Sequence, residues 1–291
     1  MHLFTSSSKC KFIFQCIVSM ICICTIYIFV IALIPRTLQA GNQWQTNILK
    51  AQNFSFSDKE WDVVLVGSSM AYNVPIEKLS NGAFNLAFAG GATNTGLEMV
   101  CKVQKYPKVI LIEANETVLR GIDDKLMKKT DKWIRTLPFL QEMNRPDVVF
   151  FQTMQYAKRK IKGEKNILPV DRDEPVESAL KRQQEASQKN VDETLLKEKL
   201  NEIKKRVSEL EQAGVKVIFI EPPNHISLFG TIREKQVHDL FLEKFPQDKY
   251  DWFFVDWNNY KTNDGIHLGA MSANKYAEEL IEYSNKFIDN D

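Results

Sequence analysis

Residues 62–69 read DVVLVGSS, a continuous apolar run that ends directly at a glycine and two serines. Four further apolar runs of strand length follow along the chain: 83–87 (AFNLA), 109–112 (VILI), 215–220 (VKVIFI) and 252–255 (WFFV). Continuous runs without polar alternation are typical of strands that are buried on both faces of a parallel sheet. Because helical or loop stretches separate the runs, the pattern predicts a three-layer α/β/α fold with a flavodoxin-like, doubly wound parallel sheet of about five strands.

The clearest helical pattern covers residues 191–213. Its apolar residues step by three or four positions and therefore share one face: Leu196, Leu200, Ile203, Val207 and Leu210. Asn190 and Glu193 form a candidate capping box, and Gly214 is a candidate stop. We expect this helix to pack on the sheet with its charged face in solvent, the alternative being a coiled-coil or partner surface. A closing helix is expected over 275–288.

The composition argues against several classes of function. The 291 residues include 38 basic and 37 acidic ones, for a net charge of +1, so no nucleic-acid partner is expected. Four of the five cysteines lie in or beside the apolar N-terminus, and Cys101 stands alone in the remainder. No Cys/His spacing typical of a zinc site occurs, and the chemistry predicted below needs neither a metal nor an organic cofactor.

The segment 12–35 holds no charged residue and exceeds the roughly 20 apolar residues that a membrane-spanning helix needs. It predicts a single-pass transmembrane anchor that follows a cytoplasmic tail, residues 1–11. Lys9 and Lys11 precede the run and only Arg36 closely follows it, which favours a cytoplasmic N-terminus and an extracytoplasmic domain at the inner or plasma membrane.

A signal peptide cleaved near Ala40 is the alternative to the anchor. The apolar run is longer than the core of a signal peptide, and Leu38 is a poor residue close to a cleavage site. These two features favour the anchor.

Beyond the anchor, the polar residues 36–58 predict an irregular stalk, and residues 59–291 predict one hydrolase-like domain. Residues 120–189 are less regular and predict an insertion that builds a lid or a recognition surface. For 163–189, a partly disordered linker is an equal alternative.

A nucleophilic serine requires a turn that exposes its hydroxyl, a base, a group that orients the base, and donors for the oxyanion. Ser69 lies in such a turn, at the carboxyl end of the first predicted strand, where sites form in doubly wound sheets. His267 is the candidate base, and Asp264, three residues earlier, can bind one ring nitrogen while the other faces a serine. His238 is expected at the surface, and His225 is expected to border a site without a specific partner.

The order of these segments resembles the SGNH/GDSL hydrolase family, in its membrane-anchored, polysaccharide-modifying branch. The family has a Gly-Asp-Ser or variant after its first strand, a glycine after the second, an asparagine after the third, and Asp-x-x-His near the end. Gly67-Ser68-Ser69, Gly90, Asn115 and the pair Asp264 and His267 match these positions. The resemblance implies a Ser69–His267–Asp264 triad. It also implies an oxyanion hole made by the N–H groups of Ser69 and Gly90 and the side-chain amide of Asn115.

Three features depart from the family pattern. Ser68 replaces the usual aspartate before the nucleophile, Gly91 stands beside Gly90 as a second candidate donor, and the segment around Asn115 lacks the Gly-Asn-Asp wording.

The resemblance implies a serine esterase or O-acyl(acetyl)transferase. Together with the predicted location, it implies an acylated cell-envelope glycan or a small ester as substrate, and a membrane-bound O-acyltransferase as a candidate partner. The alternatives are a catalytically inactive glycan-binding or assembly component and a lipase-like esterase.

Overall fold

A five-stranded parallel sheet forms the centre of the protein. The computed structural model describes residues 6–33, 36–162, 171–172 and 174–288. The strands, in chain order, are β1 (Val63–Val66), β2 (Ala83–Asn85), β3 (Val109–Glu113), β4 (Lys216–Ile220) and β5 (Asp251–Phe253). They are arranged in the order β2-β1-β3-β4-β5, and every neighbouring pair is parallel. The predicted flavodoxin-like, doubly wound fold is confirmed.

Eleven α-helices occur in the described residues. They are α1 (Ser6–Leu33), α2 (Gln43–Phe56), α3 (Ser69–Tyr72), α4 (Thr93–Val103), α5 (Asp124–Lys128), α6 (Lys132–Thr136), α7 (Pro146–Lys162), α8 (Glu177–Ser187), α9 (Glu193–Gln212), α10 (Ile232–Lys244) and α11 (Ala270–Asn285).

Both faces of the sheet are buried, which explains why its strands read as continuous apolar runs. Alternate residues of β1 and β3, such as Val64 and Ile110, join a core with α2, α4, α9 and α10. Their neighbours, such as Leu65 and Leu111, join a second core with α3 and α11.

The helix predicted over 191–213 is α9, and all five apolar residues of its predicted face are buried. Its cap differs from the expected one. Asp192 accepts the backbone N–H of Leu195 at 3.0 Å, so the helix begins at Glu193 and Asn190 lies too early to cap it. Gly214 follows the helix with φ +81°.

The N-terminal helix α1 contains a stretch, Lys11–Leu33, that is long and apolar enough to cross a membrane. A signal sequence near an N-terminus can have the same length and composition.

The segment expected to be an irregular stalk contains a buried helix instead. Ile48, Leu49, Ala51 and Phe54 of α2 are each at most 1% exposed and pack in the core of the domain. Four polar residues on this helix, Gln45, Asn47, Lys50 and Gln52, are buried as well and have hydrogen-bond partners in distant segments. Gln52, for example, donates to Lys129 O at 2.9 Å and accepts from Glu142 N at 2.8 Å.

The predicted insertion, 120–189, contains helices α5 to α8. Its last part lies over the loop that carries His267: Val176 N donates to Asn263 O at 2.9 Å, and Asp171 accepts the N–H groups of Met271 and Ser272 at the start of α11. Residues 163–170, for which a disordered linker is the alternative, lie outside the described residues.

Candidate active site

The turn that carries Ser69 is tightly packed. Strand β1 ends at Val66, and α3 begins at Ser69, so Gly67 and Ser68 make the whole connection. A Cβ on Gly67 would lie 2.5 Å from Glu113 Oε2 and 2.8 Å from Ala71 Cβ, which leaves no room for any side chain. Ser68 is fully buried and Ser69 is half-buried, so the turn directs the second serine outward.

His267 and Asp264 meet Ser69 in a linear array. Nε2 of His267 lies 3.0 Å from Ser69 Oγ, and its Nδ1 lies 2.7 Å from Asp264 Oδ2. The other carboxylate oxygen of Asp264 accepts the backbone N–H of His267 at 2.9 Å and of Ile266 at 3.1 Å. Gly265, with φ +102°, permits this turn. The loop therefore fixes the carboxylate against one side of the imidazole and leaves the other for the serine hydroxyl.

The environment of Asp264 keeps it ionised. Partial burial alone would raise its pKa, but the hydrogen bonds from the His267 ring, the His267 N–H and the Ile266 N–H outweigh this and lower the pKa to about 2. A charged carboxylate is what an imidazole needs to gain a proton from a hydroxyl.

Ser69 follows β1 and Asn115 follows β3, the two neighbouring strands at which the order of the sheet reverses. Ligands bind in doubly wound sheets at this point, beyond the carboxyl ends of the strands.

Gly90 borders the same cavity as Ser69. Gly90 has φ +72°, and the cavity, of about 540 Å³, is also lined by Gln43, Tyr72, Asn73, Ala89 and His267. Gly91 does not line it.

Helix α2 holds the segment before Gly90 in place. Asn47 donates to Ala89 O at 2.9 Å and accepts Ala89 N–H at 3.3 Å, while Lys50 Nζ donates to Ala87 O at 3.0 Å. Burial lowers the pKa of Lys50 to about 8. The role of α2 in holding this segment was not predicted from the sequence, because residues 36–58 were expected to form a stalk.

Asn115 lies beside the turn but in a different position from Gly90. Its Nδ2 is 3.4 Å from Ser68 Oγ and 3.4 Å from Met70 Sδ, the residues on either side of Ser69. Its Oδ1 accepts the N–H of Thr117 at 2.8 Å. The amide lines a neighbouring cavity of about 100 Å³ rather than the cavity of Ser69.

Glu113 is a component of the site that sequence analysis missed. It ends β3, is 0% exposed, and its carboxylate accepts the backbone N–H of Ser68. Burial raises its pKa to about 7 against the opposing effect of the hydrogen bonds from Ser68 and Ala71. The signal in the sequence was a charged residue at the end of an otherwise apolar buried strand, since such residues require a partner.

The neighbouring cavity contains a second histidine–carboxylate pair. His238, expected at the surface, is half-buried, with Nδ1 2.8 Å from Glu221 Oε1; this hydrogen bond raises its pKa. The surface expectation was wrong because the partner comes from the end of β4, 17 residues away. His225 instead caps a turn through Ser227, 2.8 Å from its Nδ1.

Within the described ranges, no group of three or more His, Cys, Asp or Glu side chains could hold a metal ion.

The chain is similar in structure to three solved proteins. A protein assigned as an acylhydrolase of Bacteroides fragilis is 13% identical, with a TM-score of 0.43 over 84% of this chain and 98% of that chain. A GDSL-like lipase of Bacteroides thetaiotaomicron is 11% identical, with a TM-score of 0.40 over 77% and 87%. A protein assigned as a platelet activating factor, from Streptococcus pneumonia, is 12% identical, with a TM-score of 0.41 over 83% and 92%.

No protein-family model matches the chain, and no curated protein matches it. At these identities and TM-scores, the likeness to solved structures assigns no activity to the chain.

Proposed function

We propose that this protein is a membrane-anchored serine esterase or O-acyltransferase, with Ser69 as nucleophile, His267 as general base and Asp264 as the group that orients the base. One observation carries the proposal: the linear array in which Ser69 Oγ, the two His267 nitrogens and Asp264 Oδ2 are joined by distances of 3.0 and 2.7 Å. Each distance is within the reach that proton transfer and orientation require.

In the proposed reaction, Ser69 Oγ attacks the carbonyl carbon of an ester while its proton passes to His267 Nε2. The imidazolium, stabilised by Asp264, then gives this proton to the departing alcohol, and an acyl-enzyme remains. Water or a sugar hydroxyl resolves the acyl-enzyme by the same steps in reverse, which yields hydrolysis or acyl transfer.

The proposed oxyanion donors are the N–H groups of Ser69 and Gly90 and the amide of Asn115. Ser69 begins α3, where the first N–H groups have no intrahelical carbonyl partner. Gly90 lines the same cavity as Ser69 and is exposed. Asn115 contacts the residues on either side of Ser69, and its amide reaches an oxyanion only if it turns from Ser68 Oγ towards the Ser69 cavity.

The lining of the Ser69 cavity supports a small acyl group and a hydroxyl-rich substrate. Gln43, Asn73 and Tyr72 supply polar groups, and Ala89 and Gly90 supply small ones. An acetylated glycan of the cell envelope has both properties. The apolar helix α1 supports an anchor at the inner or plasma membrane, and we place the domain on the extracytoplasmic side, within reach of such a glycan and of a membrane-bound O-acyltransferase partner.

The nucleophile is tested on the full chain, in detergent, with an aryl acetate and a fluorophosphonate probe. We expect both turnover and labelling in the unmodified chain, and neither after Ser69→Ala. Ser227→Ala is the matched control, since Ser227 Oγ also lies 2.8 Å from a histidine nitrogen but does not line the Ser69 cavity.

Turnover that survives Ser69→Ala would refute the assignment. An unmodified chain that is neither labelled nor active would favour the non-catalytic alternative. For the orientation, protease added outside spheroplasts should digest the domain, and full protection there would place the domain in the cytoplasm.

A further inference from the structure

The C-terminal part of α1 contacts the turn that precedes α7. The Tyr27 hydroxyl donates to Asn144 O, while Arg36 donates to Met143 O at 2.9 Å and to Asn144 Oδ1 at 3.2 Å. Tyr27 lies six residues before the end of the apolar stretch at Leu33, which is roughly 9 Å along a helix. The Met143–Asn144 turn therefore lies beside the last turns of the apolar helix rather than beyond its end.

Helix α7 continues along the chain that leaves α1. Gln152 Nε2 donates to Thr37 O at 2.8 Å and to Gln39 O at 3.2 Å, and the Phe151 ring lies beside Gly41. These contacts fix α7 against the segment between α1 and the domain.

Large exposed apolar side chains lie on both sides of this turn in the sequence. Asn144 Nδ2 donates to Pro138 O at 2.8 Å, which places the neighbouring Phe139, 72% exposed, next to the turn. On α7, Phe150 is 67% exposed and Met154, one helical turn further, is 44% exposed. The opposite side of α7 is buried through Val148, Val149 and Gln152. The helix is therefore firmly packed on the domain, and Phe150 and Met154 are exposed although it is.

Basic residues continue the same helix. Lys158, Arg159 and Lys160 are exposed and follow the apolar residues towards the C-terminal end of α7. Aromatic and aliphatic residues combined with cations on one helix fit the boundary between acyl chains and anionic headgroups.

We propose that Phe139, Phe150, Met154, Lys158 and Lys160, here called the juxtamembrane surface, dock into the headgroup–acyl boundary of the leaflet from which α1 emerges. The inference rests on the anchorage proposed above. A lipid surface is the occupant because the turn beside Phe139 contacts the apolar helix α1 through Tyr27 and the following chain through Arg36. The domain is then held at the membrane by two attachments, the spanning helix and this surface.

Docking would also fix the orientation of the Ser69 cavity. Gln45 Nε2 lies 2.5 Å from Asp147 Oδ2, which joins α2 to the start of α7. Gln43, in the first turn of α2, lines the Ser69 cavity. The cavity thus keeps a constant relation to the membrane surface for as long as α7 is docked.

The test uses the full chain in vesicles of phosphatidylethanolamine and phosphatidylglycerol, with p-benzoylphenylalanine replacing Phe139 or Phe150. Phe229 is the matched control position, because it is 63% exposed but lies in the turn before α10. After illumination, mass spectrometry should find lipid adducts at 139 and 150 at several times the yield at 229. Equal yields at the three positions, or cross-links at 139 and 150 to a second protein chain, would overturn the proposal.

The charge contribution is tested separately. Lys158→Glu combined with Lys160→Glu should lower the adduct yield at Phe150 severalfold in phosphatidylglycerol vesicles and leave it unchanged in phosphatidylcholine vesicles. If the double variant and the unmodified chain give the same adduct yield in phosphatidylglycerol vesicles, the role of the cations is overturned. Extraction of the unmodified chain by alkaline carbonate separates a failure of the anchorage from a failure of docking, since only a spanning helix resists it.

Discussion

The carboxylate of Glu113 accepts the backbone N–H of Ser68, and its other oxygen lies 3.2 Å from Ser68 Oγ. A carboxyl group that is 0% exposed thus supports the turn from which Ser69 projects. His267 is close enough to lower the pKa of Glu113 electrostatically, although burial dominates and raises it to about 7. The charge state of this support therefore changes near neutral pH.

Glu113 should make the protein less stable as the pH rises. Its ordinary pKa is 4.5 and its pKa in the folded protein is about 7, so the folded protein binds the proton more tightly than the unfolded chain does. This contribution to stability is complete below pH 4.5 and is lost as the pH rises through about 7. We expect Glu113→Gln, measured by denaturant unfolding at several pH values, to flatten this part of the profile.

Glu282→Gln is the control for Glu113, since Glu282 is exposed on α11 and should leave the slope unchanged. A slope that persists in the Glu113→Gln protein would show that another group titrates in this range.

Gly67→Ala should destabilise the fold by ~1–3 kcal/mol, the usual cost of inserting a methyl group into a packed interior. The new Cβ would lie 2.8 Å from Ala71 Cβ and within 3.0 Å of Glu113 Cβ, neither of which can rotate away. Gly41→Ala is the comparison, because its nearest neighbour would be at 3.6 Å. Equal unfolding midpoints for the two variants would contradict the packing described for the turn.

Asn47→Ala should lower kcat by about tenfold, a loss of roughly 1.4 kcal/mol of transition-state stabilisation. The reason is that Ala89 loses both hydrogen bonds to Asn47, which frees the segment that carries Gly90, a proposed oxyanion donor. Gln52→Ala is matched to it: Gln52 is on the same helix, is buried and binds two backbone groups, but these belong to Lys129 and Glu142. Both variants should lose stability, and only Asn47→Ala should lose kcat beyond that. A similar kcat in the two variants would exclude a positioning role for Asn47.

Asp264→Asn should reduce kcat by roughly 10⁴-fold with little change in KM, since an amide cannot hold the imidazole in the tautomer that accepts the serine proton. Steady-state kinetics with an aryl acetate checks this. Fluorophosphonate labelling of Ser69 should slow in parallel, and labelling at the unmodified rate would separate Asp264 from activation of the serine.

Asn115→Ala distinguishes two roles for the amide. If the side chain reaches the oxyanion, kcat should fall by ~10²–10³. If it only holds the turn through Ser68 and Met70, the unfolding midpoint should fall while kcat of the folded fraction stays near that of the unmodified chain. We expect the first result. Asn115→Asp keeps the size of the side chain but loses the N–H donor, and it should be as inactive as the alanine variant.

The sheet could be predicted from the sequence because its information is local. Each strand is a short continuous apolar run, and such a run is the only sequence property that a strand buried on both faces needs. The pairing of Asp264 with His267 could also be predicted from the sequence, because the two residues are three apart and the hydrogen bonds between them lie within one loop.

What could not be predicted depends on contacts between distant segments. Six of the ten buried residues of helix α2 are polar, and three of these, Asn47, Lys50 and Gln52, bind backbone groups of Ala89, Ala87 and Lys129. Buried polar groups require such partners. The partner of Glu113 lies 45 residues away. The periodicity and spacing of residues in the sequence do not indicate contacts between segments so far apart.

The burial of α2 also limits where the chain can be cut. A fragment beginning at 59 would leave an open groove on the sheet where Ile48 and Phe54 pack, and the segment before Gly90 would lose its contact with α2. A protease that separates the intact domain from α1 must therefore act between Thr37 and Asn42, before the helix starts. Part of that short window is itself protected, because Gln152 binds the carbonyl groups of Thr37 and Gln39. Separation of an intact domain from α1 is thus restricted to a few peptide bonds.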